Sequence, residues 1–102
     1  VTALSGSGPA YVFLLAECME KAGIEAGLPA DLAAELARAT VAGAGVMLDQ
    51  LHDPAAQLRT NVTSPGGTTA AALNVLMAAG GVQDLMTRAI AAAAQRSREL
   101  AK

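Results

Sequence analysis

Five segments of helix length, apolar at positions three and four apart and punctuated by Gly or Pro, follow one another along this chain, and no strand-like alternation interrupts them. That pattern restricts the fold to an all-α arrangement. In the first segment Pro9 stands near the first helical position, where its preset φ and missing donor cost nothing. The helix is predicted to run to about Ala26 before Gly27 stops it. Val12, Leu15, Met19 and Ala22 form its apolar stripe, and Glu17 precedes Lys21 by four residues, the favourable order for an ion pair. Pro29 opens a second helix to about Leu51, with Asp31 and Glu35 towards its positive end and Leu32, Leu36, Thr40, Gly43 and Met47 on one stripe. Gly43-Ala44-Gly45 inside it gives up about 1 kcal/mol per glycine relative to alanine, which predicts a crossing helix packed against that point.

Asp53-Pro54 reads as an N-cap followed by Pro at the first helical position, starting a short helix through Leu58 towards Val62. Ser64-Pro65-Gly66-Gly67 breaks it. Thr68 or Thr69 is placed to cap a fourth helix that carries Leu73, Leu76 and Met77 and ends at Gly80-Gly81 in the manner of a left-handed C-cap. A last helix is predicted from about Val82 to Leu100, with Val82, Leu85, Met86, Ala89, Ile90 and Ala93 inward and Arg88, Arg96, Arg98 and Glu99 outward. At 102 residues the chain is one domain's worth, with a core of sufficient though not generous size. Hydrophobic residues make up 53% of it and aromatic residues 2%, so that core must be built from Ala, Leu, Val and Met. The runs Ala70 to Ala72 and Ala91 to Ala94 make several helices apolar nearly all round, a surface that a lone chain would leave wet. An intimate homodimer with interleaved helices is the expected remedy.

The formal net charge of -2 and the absence of any basic run exclude the electrostatic footprint of a nucleic-acid binder. One cysteine, Cys18, cannot form an internal disulfide, and no Cys/His cluster has metal-ligand spacing, so a reducing, cytoplasmic setting fits and no metal is expected. Cys18 itself reads as buried filler beside Met19. The stretch between Arg59 and Asp84 is uncharged, but its first part is polar and Gly/Pro-rich, and Ala70 to Val82 is too short to span a bilayer. No signal-peptide pattern is present. Because Val1 is not an initiator methionine and the chain opens in loop-like residues, it reads as a fragment of something longer, with the missing part upstream. His52, the one histidine, follows Leu51 at a helix end, where a cation suits the dipole better than a catalytic role suits the residue. Asn61-Val62-Thr63 matches a glycosylation triplet that is frequent by chance, and no secretory feature accompanies it.

The loop Asn61-Val62-Thr63-Ser64-Pro65-Gly66-Gly67-Thr68-Thr69 concentrates the chemistry. Adjacent glycines let backbone approach a ligand, and the helix that follows presents unpaired N–H groups and a partial positive charge, a seat for a carboxylate or phosphate. An ordinary interhelical turn with a threonine cap also fits this spacing. Density favours the cradle, because a cap needs one hydroxyl and a turn one glycine, whereas Ser64, Thr68 and Thr69 surround Gly66 and Gly67.

These residues carry a resemblance. Leu4-Ser5-Gly6-Ser7-Gly8-Pro9-Ala10-Tyr11, Asp53-Pro54 through Leu58, the block Asn61 to Thr69 followed by Leu73 and Leu76, and the closing Arg96-Ser97-Arg98-Glu99-Leu100 together resemble the pyrroline-5-carboxylate reductases over essentially the whole chain. The resemblance implies that residues 1–102 are an all-α helical dimerisation and substrate-binding domain. Its expected form is a bundle of about four to five helices like the C-terminal domain of 6-phosphogluconate dehydrogenase. It further implies an N-terminal Rossmann domain, absent from this chain, that binds most of the NADPH or NADH. Gly6-x-Gly8 is not that fingerprint, since Tyr11 stands where the third glycine would have to be, so the fragment alone is expected to be inactive. The implied reaction is hydride transfer to the C=N carbon of a cyclic imine acid, giving proline. By the same resemblance Ser64 and the backbone of Gly66, Gly67 and Thr68 would grip the substrate carboxylate. Thr69 would serve as the catalytic hydrogen-bond or proton donor at the ring nitrogen, and Val62 would add a backbone contact. Homodimers, and higher assemblies of dimers, are implied as well. Two rival readings are a non-catalytic helical oligomerisation module and the helical domain of a different Rossmann dehydrogenase.

Overall fold

A computed structural model describes residues Val1 to Ala101, and their regular structure is all helical with no strand among them. A single π-turn at Thr2–Gly6 occupies part of the segment read from sequence as an entry loop. Five α-helices follow: α1 (Gly8–Glu25), α2 (Ala30–Gln50), α3 (Ala55–Asn61), α4 (Thr68–Leu76) and α5 (Val82–Leu100). They form two compact units, one of Ser5 to His52 and one of Val1 to Leu4 together with the residues from Asp53 onward.

The first unit is a hairpin of α1 and α2. Pro9 sits in the first turn of α1, as its fixed φ requires, and Gly27 at φ 110° makes the left-handed turn that ends the helix. Pro29 caps α2 from outside the helix with ψ 145°, its carbonyl accepting the Ala33 amide at 2.9 Å. The two helices meet along a seam of small residues. A β-carbon on Gly23 would lie 3.4 Å from Leu28 Cδ1 and 3.5 Å from Ala33 Cβ, and Ala33 and Ala37 are buried to 3% and 5% exposure. The seam is therefore carried by Ala33 and Ala37, next to the expected Leu32 and Leu36 stripe, whose members stay exposed. Small side chains win the contact because they let the backbones close up. No helix of this unit crosses at Gly43-Ala44-Gly45; a β-carbon at Gly43 or Gly45 would meet nothing within 4 Å. Cys18, expected as filler, is exposed for the same reason: the seam uses other positions of α1.

The second unit holds α3, α4 and α5, none of which contains a buried residue. The expected cap Asp53 does not cap α3. Pro54 takes the cap position with ψ 148°, and its carbonyl accepts the amides of Gln57 and Leu58 at 2.9 and 3.1 Å. Helix α4 stops at Leu76, earlier than the glycines suggest. Gly80 at φ 77° then belongs to a separate turn in which the Gly81 amide donates to the Ala78 carbonyl at 2.9 Å. Helix α5 has the predicted bounds, and its polar face carries the pair Arg88 to Asp84 at 3.1 Å and Arg96 to Glu99 at 3.3 Å. Its apolar stripe is open: Val82, Leu85 and Met86 are exposed and Ile90 and Ala93 half-buried.

Candidate functional site

Between α3 and α4 the backbone makes a compact hydroxyl-lined bend. The sequence builds it locally, because Pro65 presets one turn position and Gly66 accepts φ 71° at the next, the pattern of a type II turn. The Gly67 amide donates to the Ser64 carbonyl at 3.0 Å and closes the turn. A β-carbon at Gly67 would come 3.2 Å from that same carbonyl oxygen, so glycine there keeps the bend tight.

Helix α4 then starts without a side-chain cap. The expected caps Thr68 and Thr69 lie inside the first turn, and the cap position falls to Gly67, which has no side chain to offer. The first helical bond is Ala71 to the Gly67 carbonyl at 3.2 Å. Among the described residues, the amides of Gly66, Thr68, Thr69 and Ala70 donate to no acceptor, and neither do the hydroxyls of Ser64, Thr68 and Thr69. The neighbouring polar groups are occupied. Thr63 Oγ1 donates to the Arg59 carbonyl at 2.6 Å, Thr60 Oγ1 to the Ala56 carbonyl at 3.0 Å, and Gln57 holds Asn61 at 2.8 Å.

The bend thus brings six expected residues, Val62, Ser64, Gly66, Gly67, Thr68 and Thr69, onto one short segment, with Thr69 and Gly67 half-buried and the others exposed. One role differs from the expectation. Gly67 spends its amide on Ser64, so it shapes the turn, and the free donors are Gly66, Thr68, Thr69 and Ala70. Ala70 went unnoticed in the sequence, although its place two residues into α4 follows once the helix start is fixed at Thr68. Free amides, a helix N-terminus and hydroxyls on one short segment suit a small anion with a hydrogen-bond acceptor beside it.

The remaining candidates lie apart from such chemistry. His52 is exposed just past the end of α2. An open groove of about 660 Å³ runs between α1 and α2, lined by Val12, Phe13, Ala34 and Val41 together with the charged Glu17, Glu20 and Arg38. No metal-binding cluster exists among the described residues, and no helix is long and apolar enough to cross a membrane.

The family model for pyrroline-5-carboxylate reductase dimerisation matches residues 1–100. A soybean (Glycine max) pyrroline-5-carboxylate reductase is 49% identical over 98% of this chain and 36% of its own length. The solved structure of a pyrroline-5-carboxylate reductase from Coxiella burnetii superposes with a TM-score of 0.92 at 44% identity, covering 99% of this chain and 37% of that one. A pyrroline carboxylate reductase from Plasmodium falciparum, solved with NADP bound, gives 0.90 at 36% identity over 99% and 38%. The chain spans little more than a third of the length of these relatives.

Proposed function

The chain belongs to the pyrroline-5-carboxylate reductase dimerisation family, and from that membership we propose that it is the dimerising, substrate-holding part of an enzyme that reduces 1-pyrroline-5-carboxylate to L-proline. The observation that carries the reading is the uncapped start of α4 beside the Ser64-Pro65-Gly66-Gly67 turn, where free amides and hydroxyls share one short segment.

NADPH or NADH would supply the hydride when bound. These residues do not fit a dinucleotide: no strand leads into a glycine-rich helix start among them, and Tyr11 stands where a third glycine would have to be. The cofactor would accordingly be held by a Rossmann domain outside residues 1–102. What this chain contributes is position and polarity. The carboxylate of the imine acid sits on the amides of Gly66, Thr68 and Ala70 and on the Ser64 hydroxyl, in the field of the α4 dipole. The Thr69 hydroxyl, one residue into the helix, donates to the ring nitrogen as it gains basicity, and the backbone of Val62 flanks the ring. The working unit is a homodimer, with assemblies of dimers belonging to the same proposal.

The test is an assay of the intact protein with reduced nicotinamide cofactor and 1-pyrroline-5-carboxylate, followed by formation of proline. Reduction of another cyclic imine acid in its place would assign the chain to a different reductase. No reduction of any such acid would leave an oligomerisation module.

A further inference from the structure

We infer that Thr63 is a positioning residue for the proposed reaction: its hydroxyl clasps the last turn of α3 and so fixes the backbone from which Ser64 reaches the substrate carboxylate. Thr63 itself touches no substrate, and its role rests on the substrate site proposed above.

Helix α3 ends at Asn61, and only Val62 and Thr63 separate it from Ser64. Thr63 is held twice, both times by α3. Its amide donates to the Thr60 carbonyl at 3.0 Å and its Oγ1 to the Arg59 carbonyl at 2.6 Å. The last carbonyls of a helix lack an amide of their own helix to accept, so a hydroxyl arriving from the next loop fills a real vacancy. The Val62 amide offers Arg59 only a long bond of 3.3 Å, which makes the Thr63 hydroxyl the closer partner.

Ser64 has much less to hold it. Among the described residues its hydroxyl makes no hydrogen bond, and its carbonyl alone is engaged, by the Gly67 amide at 3.0 Å. A serine hydroxyl without a partner takes its place from the backbone that carries it. That backbone is pinned on one side by the turn to Gly67 and on the other by Thr63. Thr63 is half-buried and Ser64 exposed, so the braced residue and the residue open to a ligand are adjacent but distinct. Thr60 supplies an internal comparison. Its Oγ1 makes the same kind of bond, to the Ala56 carbonyl at 3.0 Å, but inside α3, where the helix already fixes the backbone. Losing that bond frees no part of the loop.

Steady-state kinetics of the intact protein with 1-pyrroline-5-carboxylate test this. Thr63→Val removes the hydroxyl and keeps the branched shape, and it is expected to raise KM about tenfold at unchanged kcat, the size of one hydrogen bond to a charged group. Thr63→Ser restores the hydroxyl and should restore the wild-type KM, and Thr60→Val should leave KM where it is. Because Thr63 acts through Ser64, adding Thr63→Val to Ser64→Ala should raise KM no further. A fold weakened in general would instead lower the amount of active enzyme, hence kcat, and leave KM in place. If Thr63→Val does not fold, Thr63→Ala makes the same subtraction. A wild-type KM in the variant without the hydroxyl, an equal rise in Thr63→Ser or Thr60→Val, or a rise that multiplies with that of Ser64→Ala would each overturn the inference and leave the substrate site standing. Wild-type protein that reduces no cyclic imine acid would overturn the proposed function, and the role of Thr63 with it.

Discussion

Gly81 directs the position of its missing side chain at the carbonyl oxygen of Leu76, leaving no volume in which a β-carbon could sit. The same β-carbon would lie 2.8 Å from the Ala78 carbonyl oxygen and 2.9 Å from the Leu76 carbonyl carbon. All three are backbone atoms, which cannot swing aside as a flexible side chain would. The turn between α4 and α5 is therefore fixed by a close approach at Gly81 and by the left-handed φ of 77° at Gly80.

Gly81→Ala is expected to destabilise the fold by about 1–3 kcal/mol, since the helix ends must separate to admit the methyl group. Gly80→Ala pays instead for a left-handed backbone, about 1–2 kcal/mol. Denaturant midpoints of the intact protein measure both, and an unchanged midpoint for Gly81→Ala would contradict the close approach.

In the loop before α4, the hydroxyls of Ser64 and Thr69 have different work in the proposed reaction, and kinetics should separate them. Ser64→Ala removes a contact to the carboxylate that substrate and transition state share, so KM rises while kcat holds. Thr69→Ala removes a donor that matters most as the ring nitrogen gains basicity, so kcat falls. Each loss should amount to about 1–3 kcal/mol for one hydrogen bond. Wild-type constants in both variants would take this loop out of the mechanism.

Much of this was legible in the sequence, and the misses share a physical origin. Pro9, Gly27 and Pro29 marked helix ends correctly because backbone constraints at Pro and Gly act locally. The Glu17–Lys21 pair was legible for the same reason. Asp53, Thr68 and Thr69 were misplaced as caps, since an extended Pro54 or Gly67 offers its own carbonyl to the first turn and needs no side chain. The tight turn before α4 was readable from Pro65 and Gly66, whereas the use of the Gly67 amide depended on how the turn closes. Apolar periodicity showed which faces must be covered without showing what covers them. Leu32 and Leu36 lie on the apolar stripe read from sequence, yet Ala33 and Ala37 make the seam.

The pair Glu17 and Lys21, 3.1 Å apart on α1, should be visible by titration and nearly silent in stability. The hydrogen bond to Glu17, aided by its charge, raises the Lys21 pKa above the ordinary lysine value. A raised value in the folded state means that the stabilisation is fully present below the ordinary lysine pKa and is lost as pH rises through the raised one. Both side chains are solvated, so little of it survives screening at neutral pH. In Glu17→Gln the Lys21 titration followed by NMR should return towards the ordinary value while the denaturant midpoint at neutral pH stays put. A titration unmoved by the substitution would mean that the pair does not persist in solution.

Gly43 and Gly45 pose the sharpest choice between a chain that is sufficient to itself and one that is not. Within one chain nothing lies within 4 Å of a β-carbon at either position, so alanine there should gain about 1 kcal/mol of helix propensity at each site and cost nothing. If a helix of a second copy crosses α2 at this bare stretch, the added methyl group instead meets packed backbone and overfills the contact. Leu32, Leu36 and Met47, left exposed on the same helix, favour the second case. Gly43→Ala and Gly45→Ala are accordingly expected to weaken self-association by about 1–3 kcal/mol despite the better helix former. A sedimentation dilution series against wild type reads this directly. Dimers as tight as wild type, combined with higher denaturant midpoints, would show that the glycines face solvent in the assembly and that the interface lies on the other faces of α1, α2 and α5.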